Sequence, residues 1–254
     1  MKLLKNVVPI LSGIEMGIPL NLISKIAIDI NYPNTIITKE SILINFLLGF
    51  TAYKQDRYMD AQENILLNYS KFSNSKNEYY ISLLDNEKFI QFTLFCCYII
   101  ISTLCLSPNN DLKIIPPIFT STFLYKYYKK NKNISFLKPF CVASMWTFST
   151  CIIPLLANND YSDINLSLLV PTFLNLFALT NLEDLKDYNE DFENKINTLS
   201  IILGISKIKN IILFSITLST ILFIDSPFYT NNFQNILYIS SNLLPYFSLL
   251  NYTN

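Results

Sequence analysis

Two short acidic stretches hold the residues of this chain best suited to chemistry. The first reads Thr51-Ala-Tyr-Lys-Gln-Asp56-Arg-Tyr-Met-Asp60. On a helix, Asp56 and Asp60 are four apart and project from one side, one turn above the other. The second reads Asn181-Leu-Glu-Asp184-Leu-Lys-Asp187-Tyr-Asn-Glu-Asp191. Its spacings of three and four put Asp184, Asp187 and Asp191 on one helical stripe and leave Glu183 and Glu190 off it. Close carboxylates repel and raise one another's pKa unless cations sit among them. Such stripes therefore suit Mg²⁺, which takes a few carboxylates together with phosphate oxygens and waters. The cations available to complete a diphosphate site are Lys54, Arg57, Lys126, Lys130 and Lys195. A plainer reading also stands, in which carboxylates at helix ends only mark a solvated membrane interface.

Composition excludes several other chemistries. Histidine is absent, which removes Ser-His-Asp and Cys-His catalysis and leaves carboxylates as the main metal ligands. The five cysteines, Cys96, Cys97, Cys105, Cys141 and Cys151, lie in apolar stretches without CxxC spacing, so they read as small buried hydrophobes rather than a zinc site or disulfide framework. Positive and negative side chains balance at 19 each, so net charge gives no pull on nucleic acid.

The elements that must position the acidic stretches are read from hydropathy. Half of the residues are hydrophobic, 15% are charged and the mean hydropathy is +0.32, which calls for a bilayer as solvent. Apolar windows fall at 7–30, 40–54, 88–107, 112–127, 134–156, 164–181, 208–225 and 233–250. They predict an all-α, polytopic membrane helical bundle of about eight transmembrane helices, forming one domain over 1–254. The windows at 40–54 and 112–127 are short for a hydrocarbon core of about 30 Å and must extend into flanking polar residues or sit in a thinned bilayer. The apolar run near the N-terminus, which contains Pro9 and Pro19, is read as the first span and not as a removed signal.

Basic residues set the expected topology. Lys54, Arg57, Lys71 and Lys76 separate the second and third spans; Lys129, Lys130 and Lys132, with Lys138 just after, separate the fourth and fifth; Lys186, Lys195 and Lys207 separate the sixth and seventh. The positive-inside rule places these loops and both termini on the cytoplasmic, stromal or matrix side. Both acidic stretches close spans on that side.

In this arrangement the chain resembles the UbiA superfamily of intramembrane prenyltransferases, whose members carry one aspartate-rich motif closing the second helix and another closing the sixth. The family's second motif runs roughly DxxDxxxDxxxGxxT followed by Leu. Asp184, Asp187, Asp191, Thr198 and Leu199 stand at the matching offsets, Lys195 replaces the motif glycine, and Gly204 follows where the family often has a glycine. The first motif is typically NDxxDxxxD. Asp56 and Asp60 match its last two aspartates, and Ala52 and Tyr53 replace the Asn-Asp pair. Tyr125-Lys-Tyr-Tyr-Lys-Lys130, Phe136-Leu-Lys-Pro139 and Trp146 look like the family's basic loop and the helix after it. The usual ninth helix is not evident.

The resemblance implies Mg²⁺-dependent transfer of a prenyl group from an isoprenoid diphosphate to an aromatic or lipid acceptor within the bilayer. Asp56, Asp60, Asp184, Asp187 and Asp191 would hold the metal and act in catalysis, favouring ionisation to an allylic cation that burial shields from water. Tyr53, Trp146, Phe177 and Tyr188 are candidates to line the apolar path. Two alternatives remain: a terpene cyclase of UbiA type, which would use the same clusters without a second substrate, and a noncatalytic membrane paralogue.

Overall fold

The computed structural model describes residues 38–66, 74–106, 134–157 and 166–224, together with Ile14, Ile18 and Asn21. Apart from those three positions, the expected spans at 7–30, 112–127 and 233–250 lie outside the described residues, as do Lys126 and Lys130. Among the described residues every regular element is helical. In chain order these are α1 (Lys39–Leu66), α2 (Asn74–Asp85), α3 (Glu87–Cys105), α4 (Lys138–Thr147), α5 (Ile153–Ala157), α6 (Leu166–Lys186), α7 (Tyr188–Glu193), α8 (Leu199–Leu203) and α9 (Ile205–Ile224). A 3₁₀ turn, Ser135–Leu137, leads into α4, and a π turn, Phe148–Ile152, joins α4 to α5 as one rod.

Three stretches are long and apolar enough to cross a membrane: Glu87–Cys105, Ser135–Leu156 and Ile205–Ile224. They coincide with the windows expected at 88–107, 134–156 and 208–225, and they point to a membrane protein. The outward stripe of α3 agrees with this, because Phe89, Phe92, Phe95 and Ile99 recur at helical spacing and are exposed. Such a surface suits hydrocarbon and would be an aggregation hazard in water.

Helix α1 starts at a capping turn in which Thr38 accepts a hydrogen bond from the Ser41 N–H at 3.2 Å on its side-chain oxygen and from the Ser41 hydroxyl at 2.9 Å on its carbonyl. It then runs 28 residues, roughly 42 Å at 1.5 Å per residue, longer than a hydrocarbon core of about 30 Å. Asp56 and Asp60 therefore ride on the helical extension beyond the 40–54 window. Its inner face packs Ile44, Leu47 and Phe50 against Cys97, Ile101 and Cys105 of α3 and against Ile153 and Leu156 of the rod. A buried hydrogen bond from the Ser149 hydroxyl to Asn45 Oδ1, 3.0 Å, pins the rod to α1.

The π turn ends at Ile152, two residues before Pro154. Proline has no N–H to return to the preceding turn, and the ladder widens there by one residue. The rod then meets the second half of the chain, where α6 and α9 form the most extensive helix pair. Ala178, Leu182 and Leu185 interlock with Ile208, Ile212 and Ile216, and the Ser219 hydroxyl donates to the carbonyl of Pro171 at 2.8 Å. On its other side α6 packs on α4, with the Phe140 and Phe177 rings 4.7 Å apart.

Candidate functional site

Helix α6 continues through Lys186, so the expected stripe is helical at Asp184 and passes a turn at Asp187 into α7, which carries Asp191. Hydrogen bonds from the Asp187 N–H to the Glu183 carbonyl and from the Asp191 N–H to the Asp187 carbonyl keep the helical register across the turn. After Asp191 the chain must reverse. It does so in a Schellman turn: the Ile196 N–H reaches the Asp191 carbonyl at 2.9 Å and the Lys195 N–H reaches that of Phe192 at 3.2 Å. Lys195 is the left-handed residue of this turn, with φ 55°. Glycine is the usual occupant of such a position because it has no Cβ to clash. The offset at which the UbiA motif has glycine is thus the offset at which this backbone is left-handed.

The reversal returns Thr198 to the acidic cluster. Its hydroxyl hydrogen-bonds the Asp191 carboxyl and lies 2.9 Å from the Ser200 hydroxyl, which in turn donates to the Asp184 carbonyl at 3.4 Å. From α4, Lys138 Nζ donates to Asp184 Oδ1 at 2.7 Å. Asp184 is only 2% exposed, and its second oxygen, Oδ2, is buried without a hydrogen-bond partner. Burial and then the Asp184 charge push the Asp191 carboxyl from 3.8 up to about 7; Lys138 opposes this, Asp187 adds to it, and the Thr198 hydrogen bond opposes it. Asp187 is itself exposed. Asp184, Asp187 and, once ionised, Asp191 face a single ammonium, an excess of carboxylate that a divalent cation would offset.

In the first acidic stretch the ion pair and ring contacts described lie within one helix. Arg57 lies 3.7 Å from Asp60 on its own helix and 4.7 Å from the Tyr53 ring, and its electrostatic neighbours are Tyr53, Asp60 and Asp56. Lys54 is wholly buried, with Nζ 4.3 Å from the Phe50 ring centroid one turn back along the helix. The two acidic stretches also have different supports. Helix α1 packs chiefly on α2, α3 and α5, while α6 packs on α9, α4 and α8. Among the described residues the charges acting on Asp191 are those of Asp184, Lys138 and Asp187.

Among the described residues no three carboxylate or thiol side chains converge closely enough to cage a metal ion. The second cluster instead offers the orphaned Asp184 Oδ2 and the half-buried Asp191 carboxyl. That fits Mg²⁺, which is commonly held by one or two carboxylates with substrate phosphates and waters.

One residue of the cluster escaped sequence reasoning. Lys138 could have been singled out as the one charged residue inside the 134–156 window. Of the expected lining residues, Phe177 is buried between Phe140 and Phe173, Tyr188 stacks on Phe192, and Trp146 is half-buried on α4. No family model matches the chain, and no curated protein or solved structure matches it.

Proposed function

We propose that this chain is a divergent UbiA-type prenyltransferase: a bundle of about eight spans that transfers a prenyl group from an isoprenoid diphosphate to an aromatic or lipid acceptor in the bilayer, with both acidic stretches on the cytoplasmic, stromal or matrix face. The observation that carries this reading is the return of Thr198 to Asp191, and of Ser200 to the Asp184 carbonyl, through a left-handed residue at the motif's glycine offset. A chance run of aspartates has no need of that turn.

In this reading Asp184, Asp187 and Asp191, with Asp56 and Asp60 of the first stretch, are the residues that would hold Mg²⁺. The bound ion supplies neutralisation of negative charge on the leaving diphosphate. The remaining tasks fall to the chain itself. Lys138, joined by Arg57 and Lys195 and by Lys126 and Lys130 of the basic loop, attracts the diphosphate to the acidic end of α6. Lys54, buried over Phe50, contributes positive charge from below. Thr198 keeps Asp191 oriented and Lys138 keeps Asp184 oriented. Phe173 and Phe177 continue the same face of α6 toward its N-terminus, where with Phe140 they offer an aromatic wall to an isoprenoid chain.

The test is release of diphosphate from labelled allylic diphosphates of several chain lengths by the purified chain in lipid nanodiscs. Magnesium-dependent release that falls at least about a hundredfold in Asp184→Asn is expected, since a group acting on transition-state charge is worth that much. Product analysis without an acceptor separates transfer from cyclisation. No release at any chain length, with or without Mg²⁺, would contradict the reading and favour a noncatalytic paralogue.

A further inference from the structure

Two buried side-chain oxygens close together in sequence on α6, Asn181 Oδ1 and Asp184 Oδ2, have no hydrogen-bond partner among the described residues. Burying an acceptor without a donor or cation is unfavourable, so unsatisfied oxygens of this kind point to something that occupies them. Asn181 is fully buried, and its amide nitrogen is committed to the Phe177 carbonyl at 2.8 Å, which fixes the orientation of the amide and leaves the oxygen over. Asp184 follows three residues later, one turn on, on the adjoining face. Helical side chains lean toward the N-terminus, so the Asp184 carboxylate inclines over the turn that carries Asn181.

The charge balance selects the occupant. Lys138 already satisfies Asp184 Oδ1, and the cluster still holds more carboxylates than cations. A divalent cation answers both the charge and the two orphaned oxygens, and a neutral amide oxygen is an ordinary ligand for hard cations.

We infer that Asn181 is a cation ligand, its Oδ1 binding a divalent metal together with Asp184 Oδ2, one turn deeper in α6 than the aspartate motif itself. This rests on the reading of the α6 cluster as a Mg²⁺ site and adds a ligand that the motif does not contain.

The experiment is titration of the detergent-purified full chain with Mn²⁺, followed by the paramagnetic resonance signal of the free ion, without any prenyl substrate. Wild type should bind Mn²⁺ and release it to excess Mg²⁺. Asn181→Leu, similar in size and without an oxygen, should weaken binding about tenfold or more, and Asn181→Asp, which adds a charged oxygen, should tighten it about tenfold. Asn181→Asp keeps the test decisive if the leucine variant fails to fold. Wild-type binding that neither variant changes would overturn the role of Asn181 and leave the metal site standing. Absence of binding in wild type and in Asn181→Asp would remove the metal site together with the role of Asn181.

Discussion

The acidic end of α1 and the acidic end of α6 look alike in sequence, each a set of aspartates at helical spacing behind an apolar run, but they are held in different ways. At α1, Arg57 pairs with Asp60 on the same helix at 3.7 Å, with both side chains partly exposed. At α6, Asp184 is buried and pairs with Lys138 of α4, 46 positions away in sequence, while Thr198 returns from beyond a chain reversal to hold Asp191. A pair within one helix survives whatever the rest of the bundle does. A cluster drawn from α4, α6, α7 and the approach to α8 exists only when these elements are docked, and docking is what gives it fixed oxygens and a fixed charge surplus.

Removing one lysine at α6 should be the sharpest way to break this contrast. Lys138→Met leaves Asp184 buried and unpaired, which should cost on the order of 3 kcal/mol in unfolding of the detergent-solubilised protein. The matching change at α1, Arg57→Met, should cost at most about 1 kcal/mol, because a partly exposed pair within one helix contributes little. Equal losses would mean that the two ends are not built differently.

Acidity sharpens the contrast next. The folded pKa of Asp191 is raised from 3.8 to about 7, so between those values the folded chain binds more protons than the unfolded one. This group's contribution to stability is therefore fully present below about 3.8 and is lost as pH rises through about 7. Asp191→Asn should flatten that part of the stability profile, whereas Asp60→Asn should leave it unchanged. Since the metal takes the ionised carboxylate, divalent-ion affinity of the wild type should increase as pH rises toward about 7 and then level off. An affinity that stays flat from pH 5 to 8 would take Asp191 out of the ligand set.

The smallest expected effect concerns the turn. Lys195 occupies a left-handed position at φ 55°, where a side chain costs roughly 1 kcal/mol. Lys195→Gly should raise stability by about 0.5 kcal/mol once the added freedom of the unfolded chain is set against it. It should also preserve divalent-ion binding. Destabilisation would argue that the lysine side chain contributes more than its conformation costs.

What could be read in the sequence follows the same division. The spans at 88–107, 134–156 and 208–225 were legible because long apolar runs have few alternatives in a chain of this hydropathy, and these runs became α3, the α4–α5 rod and α9. The register of Asp184, Asp187 and Asp191 was legible because helical spacing is local. Helices α2, α7 and α8 fell in stretches read as polar loops, since short helices of mixed polarity leave a weak periodic signal. The inward turn of Lys54 and the Lys138–Asp184 pair depend on tertiary neighbours, which spacing cannot specify. The left-handed Lys195 was hidden for another reason: lysine carries no conformational signature, and only the glycine at that offset in the UbiA motif hints at the turn.

The central claim is that the α6 cluster handles diphosphate through a divalent ion. It is tested most directly by binding of a nonhydrolysable prenyl diphosphate analogue to the purified chain, with and without Mg²⁺, in wild type and in Asp187→Ala. Asp187 is exposed, so its loss should leave the fold intact. Magnesium-dependent binding that disappears in the variant is the predicted result. Binding that needs no Mg²⁺ and is equal in both proteins, or no binding at any chain length, would contradict the account.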